Sequence, residues 1–186
     1  NDELEAPNIQ LHYAPAMVID HGRKTAWGTG MSCHSCLLRP KSRGEVTLAS
    51  SDPFADPLID PKFLSHPDDM KDMIDGYKIM MKVLSSEPFS KYISEHTQRP
   101  IDINNDADIE LAMREEADTV YHPVGTCKMG HDTMSVVDSK LKVHKMKGLR
   151  VVDASVMPTL VGGNTNAPTI MIGEKASDLI LNEWSL

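Results

Sequence analysis

The chain has 186 residues, 40% of them hydrophobic and 25% charged, a composition that supports a packed core and excludes a disordered segment. Its formal net charge of −8, with no basic face, argues against nucleic acid as a partner. No apolar run approaches the ~20 residues that a membrane-spanning helix needs. No signal peptide opens the sequence, and Asn1 in place of a methionine is what a piece of a longer protein shows.

Residues 8–18 (NIQLHYAPAMV) begin with alternating apolar and polar side chains, which predicts a half-buried strand, and residues 30–38 (GMSCHSCLL) predict a second. Arg39–Gly44 reads as a turn and Glu45–Ala49 as a third strand. Ser50–Pro61 contains Asp52-Pro53, Asp56-Pro57 and Asp60-Pro61. A residue before proline is pushed out of the helical region, so this segment is expected to be extended or turn-like.

A helix is predicted over Ser65–Ser85. Ser65 or His66 starts it, Pro67 suits its first turn, and Asp68 and Asp69 complement the positive end of its dipole. Met70, Met73, Ile74, Tyr77, Met81 and Leu84 then recur at helical spacing. A methionine stripe can form an adaptable binding groove, but a buried core face is the reading this spacing favours. Asp106–Asp118 predicts a second, more acidic helix. Lys140, Lys142, Lys145 and Lys147 surround a short two-strand-like region with Asp138 among them and read as a solvated face. Gly148–Asp153 (GLRVVD) predicts a buried strand ending in an acid. Thr165 or Asn166 caps a last helix with Pro168 in its first turn and Met171, Ile172, Ala176, Leu179 and Ile180 on its apolar side.

The three cysteines, Cys33, Cys36 and Cys127, are an odd number and read as reduced thiols. Cys33 and Cys36, with His34 between them, could form half of a zinc site, with His34 or Cys127 as a further ligand. A tetrahedral site usually takes a second such pair, which the chain lacks. Alternation along a strand is the favoured explanation, and no metal ligand is assigned.

Two patterned blocks carry the chemistry. One is Tyr121-His122-Pro123-Val124-Gly125-Thr126-Cys127-Lys128-Met129-Gly130, a histidine in a glycine-bounded loop. The other runs from Val151-Val152-Asp153-Ala154-Ser155 to Gly163-Asn164-Thr165-Asn166-Ala167-Pro168, which puts an asparagine at the mouth of a helix. A histidine and an asparagine so placed suggest an acid–base pair. A strand ending in Asp153, then a turn, then a helix N-terminus resembles the return of a chain into a nucleotide-binding domain. No GxGxxG fingerprint for such a domain is present; Gly28-Thr29-Gly30 lacks the third glycine and the following helix.

These blocks, together with SRGEVTLASSDPFADPLIDPKFLSHPDD (residues 42–69) and LRVVDASVMPTLVGGNTNAPTIMIGEKASDLI (149–180), resemble the C-terminal part of the glucose–methanol–choline (GMC) oxidoreductases. The wording is most like the choline dehydrogenases and related alcohol dehydrogenases. The resemblance implies an α+β fold: an antiparallel sheet covered by helices, as in the family's substrate-binding domain, over residues 1–146. It implies a strand–helix segment of the FAD-binding domain over residues 147–186. The half carrying the FAD fingerprint would lie upstream, as the missing partner of this chain.

The family's chemistry implies roles for single residues. Oxidising an alcohol removes a proton from oxygen and a hydride from carbon, and histidine is the usual proton acceptor. His122 matches the catalytic histidine. Asn166 falls on the second catalytic position, where an amide holds the substrate oxygen but takes no proton. The helix N-terminus at Asn166, Ala167 and Pro168 would lie beneath the flavin's pyrimidine edge. Asp153 and Ala154 would bring their backbone to the ribityl–phosphate region. His12, His21, His66, His96, His131 and His144 read as structural. FAD is the implied cofactor, an alcohol such as choline the implied substrate, and the chain alone is expected to be inactive and not to retain FAD. The alternative readings are a non-catalytic module that binds nothing without its other half, or the small zinc domain. The apolar GLRVVD strand leaves room for a homo-oligomer. The cytoplasm, or the cytoplasmic side of a membrane, is the expected compartment.

Overall fold

The structure is a computed structural model and describes residues 4–24, 27–94 and 100–184. Its elements are β1 (Ile9–Ala14), β2 (Ser32–Leu37), β3 (Glu45–Thr47), β4 (Leu58–Asp60), α1 (Pro67–Leu84), α2 (Glu87–Ser90), α3 (Asp106–Glu116) and α4 (Asn166–Trp184), with short 3-10 turns at Asp20–Gly22 and Ala154–Val156. They fall into two compact units, residues 1–42 with 64–120 and residues 43–63 with 121–186. The α+β class expected from the sequence holds, as two two-stranded antiparallel ladders with helices. The division expected at residue 146 falls inside the second unit. Among the described residues no helix is long and apolar enough to cross a membrane.

In the first unit β1 and β2 pair antiparallel, with Ile9 opposite Leu37 and Tyr13 opposite Cys33. Ile9 packs on α1 at Gly76, where a Cβ would come within 3.0 Å of the Ile9 Cδ1; the glycine lets helix and strand approach closely. Helix α1 starts where its signals said. Nδ1 of His66 accepts the Asp68 amide at 3.2 Å, Pro67 opens the first turn, and Asp68 and Asp69 follow. The methionine stripe is core as expected. Met70 and Ile74 pack on Ile109 and Met113 of α3, with Met73, Tyr77, Leu64 and Ile101 around them. Helix α3 is capped by Asn105, whose Oδ1 accepts the Ala107 amide, and it stops two residues short of Asp118 because Ala117 turns extended (φ −66, ψ 140).

Asp69 is only 3% exposed. Its Oδ1 accepts the Lys41 amide at 2.8 Å, and its Oδ2 accepts the Ser42 amide at 2.7 Å and the Ser42 hydroxyl at 2.6 Å. The turn expected at Arg39–Gly44 is thereby tied to the first turn of α1. Burial alone pushes the Asp69 carboxyl up, but the Ser42 hydroxyl and the two amides outweigh it and hold it below the ordinary carboxylate range.

In the second unit β3 pairs with β4, Val46 opposite Ile59. β4 lies inside the segment expected to be extended or turn-like, and Pro57 and Pro61 bound it, because neither can donate to a ladder. The core joins Val137, Leu141, Val156, Met157, Ile172 and Ala176. Two expectations are corrected here. Residues 148–153 form no buried strand; a single bridge from Lys142 to Arg150 is all the ladder they make, and Leu149 and Val152 are 44% and 38% exposed. An apolar run alone does not make a strand: no neighbouring strand among the described residues completes its pairing. Met171 is 57% exposed, because the core-facing side of α4 is set by Ile172 and Ala176, four residues apart, about a hundred degrees round the helix from it. Lys140, Lys145 and Lys147 are exposed as expected, whereas Lys142 is half-buried and bonds Glu183 at 2.6 Å, a carboxylate it shares with Arg150.

Candidate active site

The histidine loop, residues 121–130, lies in the second unit and is fastened by backbone hydrogen bonds. The Cys127 amide donates to the Ser155 carbonyl at 3.0 Å and the Met129 amide to the Val156 carbonyl at 2.8 Å. Within the loop the Lys128 amide donates to Gly125 at 3.2 Å, and the Val136 amide returns to Lys128 at 2.9 Å. Val124 and Met129 pack against the core of the unit. Gly125 takes a positive φ of 90, which glycine adopts freely, and Tyr121, directly before His122, takes a left-handed φ of 62. His122 itself is half-buried.

Downstream, Asp153 is extended (φ −160, ψ −173) and caps the 3-10 turn Ala154–Val156, its Oδ1 accepting the Ser155 amide at 2.8 Å and the Ser155 hydroxyl. Ala154 is half-buried and packs on the core; Val156 is 1% exposed. Helix α4 begins at Asn166, so the capping position falls on Thr165, which is 9% exposed. The Thr165 carbonyl accepts both the amide and the hydroxyl of Thr169, at 3.0 and 2.7 Å. Asn166 and Ala167 are exposed and Pro168 is half-buried.

The structure therefore brings the His122 loop and the Asp153 turn into direct contact, and both share a core with α4 through Ile172 and Ala176. No hydrogen bond joins His122 to Asn166 among the described residues. Sequence reasoning missed Ser155 and Val156, whose carbonyls hold the loop. It also missed Asp132, held at about 2 by the ammonium of Lys128, the Met134 amide and the Ser135 hydroxyl. The signal for Asp132 was present: an aspartate two and three residues before an amide and a hydroxyl it can accept is an Asx-turn pattern.

The cysteine pair is resolved by strand parity. Cys33 and Cys36 are three residues apart in β2 and so point to opposite faces. Cys36 Sγ lies 3.3 Å from His12 Nε2, and burial pushes both thiols up. No cysteine forms a disulfide, and no three histidine, cysteine or acidic side chains among the described residues are grouped to hold a metal. A zinc site through Cys33 and Cys36 is thus unsupported. Among the histidines read as structural, His144 Nε2 meets the Gly130 carbonyl at 3.0 Å and His66 caps α1, while His96 and the His21 side chain lie outside the described residues.

A flavin ring is electron-rich at its pyrimidine edge once reduced, and the start of α4 fits such a group. A helix N-terminus carries roughly half a positive charge. No acid in the first turn of α4 offsets it, the residues at its tip are exposed, and a Cβ built on Gly163 would meet nothing within 4 Å.

Comparison with solved structures places this arrangement among oxidoreductases. A formate oxidase of Aspergillus oryzae RIB40, studied for modification of its FAD, superposes on 98% of this chain and 33% of its own with a TM-score of 0.87 at 30% identity. Residues 40–173 match the GMC oxidoreductase family, and the chain belongs to it. It is 48% identical over 181 residues to an alcohol dehydrogenase (acceptor) of Pseudomonas putida, covering 97% of this chain and 33% of that protein. It is 42% identical over 178 residues to an oxygen-dependent choline dehydrogenase of Klebsiella pneumoniae, covering 96% and 32%. The chain thus spans about a third of the length of the curated relatives it matches.

Proposed function

We propose that the protein to which this chain belongs oxidises an alcohol, with choline among the candidates, to an aldehyde. His122 removes the hydroxyl proton. Asn166, which does not titrate, orients the same oxygen through its amide. FAD, when bound, supplies the acceptor for the hydride that leaves carbon. The N-terminus of α4, at Asn166, Ala167 and Pro168, would offer its partial positive charge to the flavin ring, and the backbone at Asp153 and Ala154 would help hold the cofactor's ribityl–phosphate part. Residues 1–146 form a portion of the substrate-binding domain, and residues 147–186 form the C-terminal segment of the FAD-binding domain.

One observation carries this reading. The loop bearing His122 is hydrogen-bonded to the Asp153 turn, so the candidate proton acceptor and the candidate cofactor contacts are built as one piece. Mixing the full-length protein anaerobically with choline and with simple primary alcohols tests it. At least one of them bleaches the oxidised flavin absorbance and yields the aldehyde; a flavin that none of them bleaches overturns the reading. The chain by itself, which lacks a GxGxxG turn, purifies without flavin, and near-stoichiometric flavin absorbance in it counts against the domain assignment.

A further inference from the structure

We propose that Asp153 is a positioning residue for His122, acting through its carboxylate on the loop rather than through its charge on a cofactor. The inference rests on His122 being the proton acceptor. The carboxylate is already occupied: Oδ1 takes the Ser155 amide at 2.8 Å and the Ser155 hydroxyl as well. The turn it caps is only three residues long, Ala154–Val156, closed by the Val156 amide on the Asp153 carbonyl at 3.3 Å and the Met157 amide on Ala154 at 3.2 Å. So short a turn has little cooperativity of its own, and the side-chain cap adds to the hold that the buried Val156 and Met157 give it.

What the turn presents matters for His122. With the turn closed, the Ser155 and Val156 carbonyls point at the histidine loop and accept the amides of Cys127 and Met129. Between Cys127 and His122 lie Val124, seated in the core, and Gly125, whose carbonyl accepts the Lys128 amide. The path from the Asp153 carboxylate to the imidazole thus runs through two consecutive carbonyls, two amides and the loop between Cys127 and His122, which Val124 packs against the core. A turn that opens releases both amides at once and frees the histidine to sample positions off the substrate oxygen, where even a small misplacement is costly.

Asparagine and serine keep an oxygen that can cap the turn but carry no charge; alanine has neither. In the full-length holoenzyme, hydrogen exchange of the segment 121–130 reads the loop directly, flavin absorbance reads the cofactor, and kcat/KM against pH reads the base. Asp153→Asn and Asp153→Ser keep exchange of 121–130 slow. Asp153→Ala speeds that exchange and lowers kcat/KM by roughly 2- to 30-fold, the range a lost cap spans, while the acid limb of the profile survives. Should Asp153→Ala not fold, Asp153→Ser and Asp153→Asn against wild type still decide. If both lose activity or flavin while 121–130 exchanges slowly, the charge acts on the cofactor and the proposal fails. A loop whose exchange is indifferent to every substitution at Asp153 also overturns it. If instead His122→Ala keeps rate and acid limb, the assignment of the base fails, and the exchange data still report on the hold of Asp153 over the loop.

Discussion

Replacing His122 by alanine in the full-length enzyme lowers kcat/KM for alcohol oxidation by about 10²- to 10⁴-fold, the cost of removing a positioned general base. Asn166→Ala lowers it by about 10²- to 10³-fold, the cost of one donor aimed at a reacting oxygen. The ranges overlap, so the pH profile separates the two. An imidazole that must accept a proton is inactive once protonated, and wild-type kcat/KM therefore falls on the acid side. His122→Ala loses that limb and Asn166→Ala keeps it, since an amide has no proton to gain in this range. Steady-state kinetics between about pH 5 and 9 check the result. A His122 variant that retains both its rate and the limb places the proton acceptor elsewhere.

The second large effect is one of stability. Asp69→Ala strips the acceptor from the Lys41 amide, the Ser42 amide and the Ser42 hydroxyl, at a site where the aspartate is 3% exposed. A buried donor left without a partner costs about 1–3 kcal/mol. Water entering the space Ala leaves relieves part of that, so a loss of about 3 kcal/mol is expected in denaturant unfolding. The sign of the pH dependence follows from the lowered folded-state value of this carboxyl. Its stabilisation is fully present above the unfolded aspartate pKa of about 3.9 and is lost as pH falls through the folded value below it. The wild-type chain accordingly loses more stability on acidification below about pH 4 than Asp69→Ala does. Equal losses in the two proteins would show that Asp69 does not carry this share.

Much of the first unit was legible in the sequence because its signals are local. Pro67, Asp68 and Asp69 mark the start of α1, and the core stripe Met70–Ile74 repeats at helical spacing, so tertiary packing confirms what propensity already says. The pairing of β1 with β2 was legible only as two strands, and strand parity within β2 was enough to separate Cys33 from Cys36. The second unit is less transparent. Val137 and Leu141 sit in a lysine-rich stretch yet are 0% and 4% exposed, held by turns and single bridges that have no period to detect. GLRVVD reads as a buried strand because an apolar run is the pattern of one, but burial and pairing depend on neighbours the run does not name. Motif resemblance singled out His122 and Asn166 as candidates. It did not reveal that the Asp153 carboxylate faces its own turn, because a cap is a matter of geometry between residues two apart rather than of residue type.

The chain order of the two units has a consequence for how the molecule comes into being. Residues 43–63 belong with 121–186, yet 64–120 separate them. During synthesis the β3–β4 hairpin emerges well before the rest of its unit exists, and it carries Ile59 69% exposed and Phe54 92% exposed. The first unit is the one able to complete itself early, closing around Met70, Ile74, Ile109 and Met113 once α3 is out. The hairpin meanwhile must wait as a solvated loop on the ribosome-bound chain. A single cut after residue 120 keeps the first unit whole but leaves residues 43–63 attached to it, while a cut after residue 63 divides both units. Recovering the second unit alone takes residues 43–63 joined directly to 121–186, without either 1–42 or 64–120.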